Sequence, residues 1–588
     1  MSTVGDSGAV TAGRLWSVVR GAAAVIALGL GVGTLAALAA DAFVYGILWL
    51  NDWLWISPRS RMMAGDWAWL AAATVAVPAA GGLLVGLLTR YLVPDREPQG
   101  PADVIEAAQR GHGRVPPKGG LATAAAALVS LGSGASVGQY GPLVHLGATI
   151  GSLFGRFSRG APETLSCIGI GCGVAAAIAT AFNAPIAGIL FAHEVVLRHY
   201  SLRAFAPITV ASTMGYVIAT VVLEREPLFR VEDAITVAAW EYLPFIGIGV
   251  GGALVAIAFM RSVIAAESAA ARVPVPEVVK PAMAGAVLGM VALWLPDVLG
   301  IGKEVLRFSI IPGAFGSAEL ALLLVAKLAM TALCLGFGFV GGVFSPALVI
   351  GALFGALVAS LLGPVLPEVG NLVAVFAICG MAAVTSSVIG APISTILIVF
   401  ELTRNYDLTT AVMISVVFAN LVSYRLYGRS MFDKVLQARD VDLSLGRDQL
   451  VLDRMPIAPY VSEDYVVARR GERCEELRDR LLEADAGEAQ LVAPNGDYLG
   501  TITLGRLLRK MERDGQRTVD RIAVYDRAAL RENASIRKAL TRAERNIGAL
   551  VPVLAREGRR LVGVVDQSTL VRAYRETLHS IRSEEHAA

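Results

Sequence analysis

Two glycine-rich segments each run into an apolar stretch at a proline: Gly132-Ser-Gly-Ala-Ser-Val-Gly-Gln-Tyr-Gly-Pro142 and Gly336-Phe-Gly-Phe-Val-Gly-Gly-Val-Phe-Ser-Pro346. A loop of this kind at a helix N-terminus presents unpaired N–H groups and the positive end of the helix dipole, which suits an anion. Glycine also lets membrane helices approach closely, so either loop alone reads equally as packing. Two carboxylates, Glu194 and Glu401, sit in or at the ends of apolar runs. A carboxylate in lipid is costly and carries a function by default, yet this pair reads better as structural, bonding the N–H groups of a loop. His145 and His193 read as packed or pathway-lining, not as metal ligands. Gly134-Ala-Ser-Val-Gly138 matches a nucleophile elbow, and a serine hydrolase built on Ser136 and His145 is an alternative of another class. It lacks a third member, and neither this match nor the dinucleotide-like Gly336-Phe-Gly-Phe-Val-Gly341 lies in an α/β context.

The elements that must position these residues are those of a membrane protein. The 588 residues are 55% hydrophobic and 17% charged, with a mean hydropathy of +0.60, far from the averages of soluble domains. The net charge of +2 gives no sign of a nucleic-acid partner. Five scattered cysteines lack metal-ligand spacing, and neither a disulfide nor a metal is expected. Val25–Leu50 and Trp67–Leu92 are each long enough for a bilayer, which takes about 20 residues. Later apolar runs are shorter and broken by Gly and Pro: Leu121–Leu131, Leu143–Phe154, Ile168–Phe182, Pro185–Phe191, Phe205–Val222, Leu243–Met260, Leu320–Leu335, Ala347–Leu362 and Pro392–Phe400. Broken helices persist in lipid only where the loose backbone is buried in protein or lines a cavity, which points to transport.

Asn183-Ala-Pro-Ile-Ala-Gly-Ile-Leu-Phe-Ala-His-Glu194 recurs as Gly390-Ala-Pro-Ile-Ser-Thr-Ile-Leu-Ile-Val-Phe-Glu401, and Pro142-Leu-Val-His-Leu-Gly147 as Pro346-Ala-Leu-Val-Ile-Gly351. Both matches are about 205 residues apart and in the same order, so the apolar body divides into halves near 20–225 and 235–427. The two glycine loops occupy corresponding places in these halves and can aim their N–H groups at one anion in mid-membrane. About half of all charged residues fall in the last quarter of the chain, from Gln437. There Glu475–Glu483 and Ile536–Arg545 read as amphipathic helices. Gln490–Val492, Leu499–Thr503, Leu550–Leu554 and Leu561–Val565 read as strands, giving a tandem βαββα unit.

Gly138-Gln-Tyr-Gly-Pro142 resembles the G-[KR]-E-G-P motif of the CLC chloride channels and transporters, and Gly342-Val-Phe-Ser-Pro346 resembles their G-x-F-x-P motif. Phe182-Asn-Ala-Pro-Ile-Ala-Gly-Ile-Leu-Phe191 is similar to the family's signature helix, Ser430-Met-Phe-Asp433 to the end of its membrane domain, and the tandem unit to a pair of CBS domains. The resemblance covers nearly the whole chain. It implies an all-α membrane domain of broken, tilted helices in an inverted repeat (1–435), followed by a cytoplasmic α/β CBS pair (436–588). It also implies a homodimer in the cell membrane, multi-pass, with one anion pathway per subunit and both termini cytoplasmic.

The departures from the family pattern bear on mechanism. The family's gating glutamate is replaced by Tyr140. A phenol, neutral near pH 7, can donate a hydrogen bond where a carboxylate only accepts. The second proton-handling glutamate aligns with Val195, directly after Glu194, and the tyrosine that holds the central anion aligns with Phe432. The serine of the G-S-G-I-P motif aligns with Pro98, a proline there resembling nitrate-preferring plant members. By the resemblance the anion is held by backbone donors at Val343 and Phe344 together with Gln139, Tyr140 and Gly141, while Tyr140 and Phe432 gate the two routes. The expected function is a proton-independent chloride channel or uncoupled transporter and not an enzyme, with a coupled exchanger using Tyr140 or His145 as the rival. No cofactor is expected. The ribose-holding aspartates of nucleotide-binding CBS pairs align with Arg506 and Thr569, which makes nucleotide binding doubtful.

Overall fold

The computed structural model describes residues 6–63, 67–109, 113–157, 163–225, 227–228, 242–364, 372–439, 441, 449, 452–453, 455–514, 518–519, 529–544 and 550–586. The start of the second half near 235 and Arg545 at the end of one expected helix lie outside them. The chain divides into two compact units, Met1–Val441 and Asp442–Ala587.

The first unit is helical. Among the described residues eight helices are long and apolar enough to cross a membrane. Large apolar side chains such as Leu254, Leu322, Val325, Val417 and Leu421 point outward, a surface that lipid solvates and water does not. The expected run Trp67–Leu92 is a helix with those same ends, as is Pro185–Phe191. The run Leu143–Phe154 is a longer helix, Tyr140–Phe157, and Ala347–Leu362 extends back to Phe344. The apolar helices Val373–Ile389 and Lys280–Ala292 were not singled out in the sequence.

Glycine builds the packing of each half in the same way. Helix Tyr140–Phe157 lies against Glu163–Phe182 so closely that a Cβ on Gly147 would strike the Gly173 carbonyl and one on Gly151 the Gly169 carbonyl. In the second half Phe344–Leu362 meets Val373–Ile389 with Gly351 against Gly380 and Gly355 against Phe376. Lipid offers no hydrophobic drive for helices to associate, so such backbone-to-backbone contact supplies dispersion energy instead.

The second unit holds two three-stranded sheets. β1 (Val466–Arg469) pairs parallel with β2 (Glu488–Val492), which pairs antiparallel with β3 (Tyr498–Thr503). β4 (Leu530–Arg531), β5 (Val551–Leu554) and β6 (Leu561–Val565) repeat that order and those directions. Helices Cys474–Glu483 and Leu504–Asp514 cover the first sheet, and Ile536–Ala543 and Gln567–His586 the second, each sheet with its own apolar core. The tandem βαββα order read from the alternation of strand and helix patterns is present in both halves of this unit.

Candidate anion pathway

The two glycine loops meet in the middle of the first unit. Gly138 N–H donates to the Gly342 carbonyl and Gly342 N–H to the Gly138 carbonyl, both at 2.7 Å, as an isolated antiparallel bridge. A Cβ on Gly138 would stand 2.6 Å from the Gly342 oxygen, and one on Gly342 2.9 Å from the Gly141 nitrogen. Equivalent residues that exchange identical bonds are what a two-fold axis produces. The Gln139 N–H donates to Ser345 Oγ at 3.2 Å and closes the junction.

Each loop delivers a helix N-terminus to this axis. The first bonds of the two ladders are Leu143 N–H to the Gln139 carbonyl (3.1 Å) and Ala347 N–H to the Val343 carbonyl (3.0 Å). The N–H groups of Tyr140, Gly141, Val343 and Phe344 precede those ladders, as the first donors of any α-helix do. Pro142 and Pro346 stand early in each helix, where an N–H has no ladder partner to lose.

The Tyr140 ring fills the space between the loops. It stacks on Phe182 with centroids 4.1 Å apart and meets Phe344 edge-on at 5.1 Å. Phe182 and Phe191 in turn contact Phe344, at 5.3 and 6.3 Å. Tyr140 and Phe344 are each only 3% exposed. One edge of Tyr140 faces a cavity whose wall also includes Gln139, Thr180, Asn183, Arg225, Lys303 and Ser345. Val343 is buried beside Phe344, and the Gln139 Oε1 has no partner.

The remaining expected site residues are not part of this ring cluster or of that cavity's wall. Phe432 is buried at the start of helix Met431–Ala438 and makes none of these ring contacts. Ser430 caps that helix by accepting from Asp433 N–H, and Arg198 pairs with Asp433 at 2.6 Å. Pro98 is exposed and lines a different cleft, with Arg90, Arg96, Lys280 and Gly338. Val195 is buried in a π-helical turn, Ala192–Leu197.

Glu194 and Glu401 are reciprocal. Glu194 accepts from the N–H groups of Ile393 (3.0 Å) and Ser394 (2.8 Å) and from Ser394 Oγ (2.6 Å). Glu401 accepts from the N–H groups of Ile186 (2.9 Å) and Ala187 (2.8 Å). Each carboxylate thus caps the first turn of the other half's short helix, where the dipole favours negative charge. The donors are helix N-termini of the opposite half, not loop backbone.

Ser136 and His145 do not form a catalytic pair. The Ser136 hydroxyl shares a hydrogen bond with Thr331 Oγ1 at 3.0 Å, while His145 Nδ1 faces Thr149 at 3.5 Å and its Nε2 has no partner. A serine nucleophile needs a base within hydrogen-bond reach, so the hydrolase alternative has no support. Among the described residues no group of His, Cys, Asp or Glu could hold a metal ion. In the second unit Arg506 lies in helix Leu504–Asp514 and Thr569 in helix Gln567–His586. Asp566, just after β6, accepts from Ser568 N–H at 3.1 Å as a turn cap. Sequence reading did not single out Arg225, Lys303 or the ring role of Phe182 and Phe191. Only Phe182 and Phe191 carried a signal, as the ends of the signature stretch.

Residues 81–424 match the family model described as voltage gated chloride channel, and residues 519–576 match that of the CBS domain. A putative chloride channel protein ClcB-like of Ralstonia nicotianae is 31% identical over 417 residues, covering 70% of this chain and 96% of that protein. A voltage-gated ClC-type chloride channel ClcB of Escherichia coli is 28% identical over 410 residues, 68% of this chain and 96% of its own length. Among solved structures a slow cyanobacterial Cl−/H+ antiporter superimposes with a TM-score of 0.64 at 22% identity, over 71% of this chain and 98% of its own. A eukaryotic CLC transporter covers 93% of this chain and 97% of its own, with a TM-score of 0.58 at 19% identity. At these identities the structural likeness is one of fold. The sequence matches, with the eight apolar helices and the C-terminal α/β unit, place this multi-pass membrane protein in the CLC chloride channel and transporter family, with a C-terminal CBS region.

Proposed function

We propose that this chain moves chloride or a similar monovalent anion across the membrane without obligatory proton exchange, with Tyr140 as the gate. The observation that carries the reading is the Tyr140 ring, buried against Phe182 and Phe344 between a cavity and the paired loops. In this reading the anion rests on the N–H groups of Val343 and Phe344, with Gln139 and Gly141 beside it, and the Tyr140 hydroxyl adds a donor. Charge-assisted hydrogen bonds of this kind contribute about 1.5–3 kcal/mol each. Phe432 narrows the opposite route, and Pro98 supplies no N–H to it. A phenol and a valine stand where protons would be carried, and valine does not titrate. The transport domain is taken as 1–435 and the CBS pair as 436–588, in a homodimer of the cell membrane with both termini cytoplasmic.

The test is chloride efflux from proteoliposomes with simultaneous pH recording. Efflux without a stoichiometric proton counterflow is expected. Acidification or alkalinisation that tracks the chloride gradient and is blocked together with the anion flux would overturn the reading. Restoring the acid with Tyr140→Glu should introduce activation at low pH without creating coupling. A coupled exchanger is the second reading, favoured by one observation: the buried His145 imidazole has an Nε2 with no partner.

The CBS pair is proposed to act through contacts and not through a nucleotide, because Arg506 and Thr569 offer no carboxylate to a ribose. Titration of the whole protein with ATP should give no binding in the micromolar range, and a micromolar affinity would reverse that assignment.

A further inference from the structure

A second cleft shares no residue with the ring cluster or with the cavity beside Tyr140. Its wall is made by the C-terminal ends of three apolar spans, Ala68–Leu92, Tyr242–Arg272 and Ser317–Gly336, and by the start of helix Lys280–Ala292. Spans that end at one cleft end at one face of the membrane. Arg90, Arg96 and Lys280 line it, and so do Glu267 and Glu277. Among the described residues none of these five side chains forms an ion pair or a hydrogen bond, and Arg90 lies 5.9 Å from the Tyr91 ring. Arg96 reaches the wall from a turn in which Asp95 and Arg96 both hold left-handed φ values, 55° and 59°, uncommon for residues other than glycine.

Thr89 adds a polar group of a different kind. A helix threonine commonly returns its hydroxyl to the carbonyl four residues back, as Thr74 does to Leu70 and Thr209 to Phe205, each at 2.7 Å. Thr89 lines the cleft, and its buried Oγ1 has no partner. A buried hydroxyl left unsatisfied calls for a ligand or a water. The walls around it are close-packed and preformed. A Cβ on Gly86 would strike the Val278 carbonyl, one on Gly336 the backbone of Ala266, and one on Gly338 would touch Pro281 Cγ at 3.5 Å. The space enclosed is about 500 Å³, within the range of small-ligand sites.

Large apolar side chains stand next to the lining residues and are exposed: Leu87 beside Gly86, Tyr91 beside Arg90, and Val279 and Met283 on either side of Lys280. Polar groups at the end of a span, with apolar side chains running away from them, match a molecule charged at one end and apolar along the rest. Each helix C-terminus presents unpaired carbonyls and the negative end of its dipole. With Glu267 and Glu277 these suit an ammonium that donates several hydrogen bonds. Arg90, Arg96, Lys280 and the Thr89 hydroxyl suit a phosphate. An anionic headgroup gains nothing from the carboxylates, and a quaternary ammonium has no N–H to give them.

We propose that this cleft binds the headgroup of a zwitterionic phospholipid with a primary amine, phosphatidylethanolamine, with its acyl chains along Leu87, Val279 and Met283. The site stands apart from the anion-pathway reading, since it involves neither Tyr140 nor its cavity. It includes Gly336 and Gly338, where the second glycine loop begins, and Arg96 and Pro98, which lead to Pro101. A Cβ on Gly141 would lie 3.6 Å from the Pro101 ring. A bound headgroup therefore braces two segments that run to the paired loops.

The test is native mass spectrometry of the full chain in detergent, titrated with phosphatidylethanolamine, phosphatidylcholine and phosphatidylglycerol of identical acyl chains, and separately with glycerophosphoethanolamine. Phosphatidylethanolamine should be retained about tenfold better than phosphatidylcholine, the equivalent of one charge-assisted hydrogen bond. Glu267→Gln with Glu277→Gln should erase that preference and leave phosphatidylcholine retention unchanged. Arg90→Gln with Lys280→Gln should weaken retention of both lipids, Thr89→Val should do so to a smaller extent, and Lys280→Arg should stay near wild type. Each variant should elute monodisperse, because none of the substituted charges has a partner to lose. Equal retention of the three lipids by the wild type would overturn the proposal. So would a preference for phosphatidylglycerol, or a wild-type preference that survives in the Glu267 and Glu277 double variant. Glycerophosphoethanolamine that binds as tightly as the whole lipid would overturn it too, since the acyl chains would then contribute nothing.

Discussion

The two halves of the membrane unit share a scaffold and differ where they meet. Tyr140 and Phe344 are the first residues of equivalent helices, equally buried and in edge-on contact with one another. The pair differs by one hydroxyl. Around them the backbone is symmetric: Gly138 and Gly342 exchange hydrogen bonds, and Glu194 and Glu401 exchange caps. The surroundings are not. The Tyr140 side opens on a cavity with two cations, whereas Phe344 is enclosed by Phe182, Phe191 and Tyr140. Symmetry here builds the support, and the difference between the two sides comes from a few side chains laid on it.

The comparison can be broken most severely at its axis. Gly138→Val or Gly342→Val drives a side chain into the facing loop and separates the bridge. Folding of the membrane unit should fail or lose several kcal/mol, read as loss of monodisperse protein in detergent, and a stable, active Gly138→Val would mean that the bridge is dispensable. The caps come next. Glu194→Ala and Glu401→Ala each take the carboxylate from two helix N–H groups, one at an exposed and one at a buried residue, at up to about 1–3 kcal/mol for the buried one. Thermal unfolding should show similar losses for the two, with Glu194 the larger because Ser394 Oγ also bonds to it. A loss at one position alone would show that the reciprocity is geometric and not energetic.

Tyr140→Phe sharpens the comparison with the least disturbance, since it makes the two facing positions identical. Its packing against Phe182 and Phe344 should persist, and chloride binding should weaken about tenfold, the equivalent of one charge-assisted donor. Tyr140→Ala removes the ring as well and should raise flux. Should Tyr140→Phe leave chloride affinity and selectivity intact, the hydroxyl is no ligand and the ring alone forms the gate.

Much of this was legible before any coordinates. The loops, the repeat and the short helices are announced by Gly and Pro, which act locally, so Pro185–Phe191 could be bounded from the sequence. Glu194 and Glu401 stood out as a pair because the repeat aligns them, but what each one caps is set by the fold of the other half. The ring cluster was out of reach for the same reason. Tyr140, Phe182 and Phe344 come from three helices, and no spacing in the chain records that their rings touch. No spacing in the chain marks Arg225, Lys303 or Lys327, since what a cation contacts is set by the fold.

The exchanged bonds at Gly138 and Gly342 carry a further consequence. A bond given and returned by equivalent residues needs no covalent connection between the parts that share it. A chain of half this length already contains the complement of each of its own stitches, so two copies lying head to tail in the bilayer would supply the loop bridge and both carboxylate clasps. Duplication and fusion then add one thing that identical copies lack, the freedom for the two positions at the seam to diverge into a tyrosine and a phenylalanine.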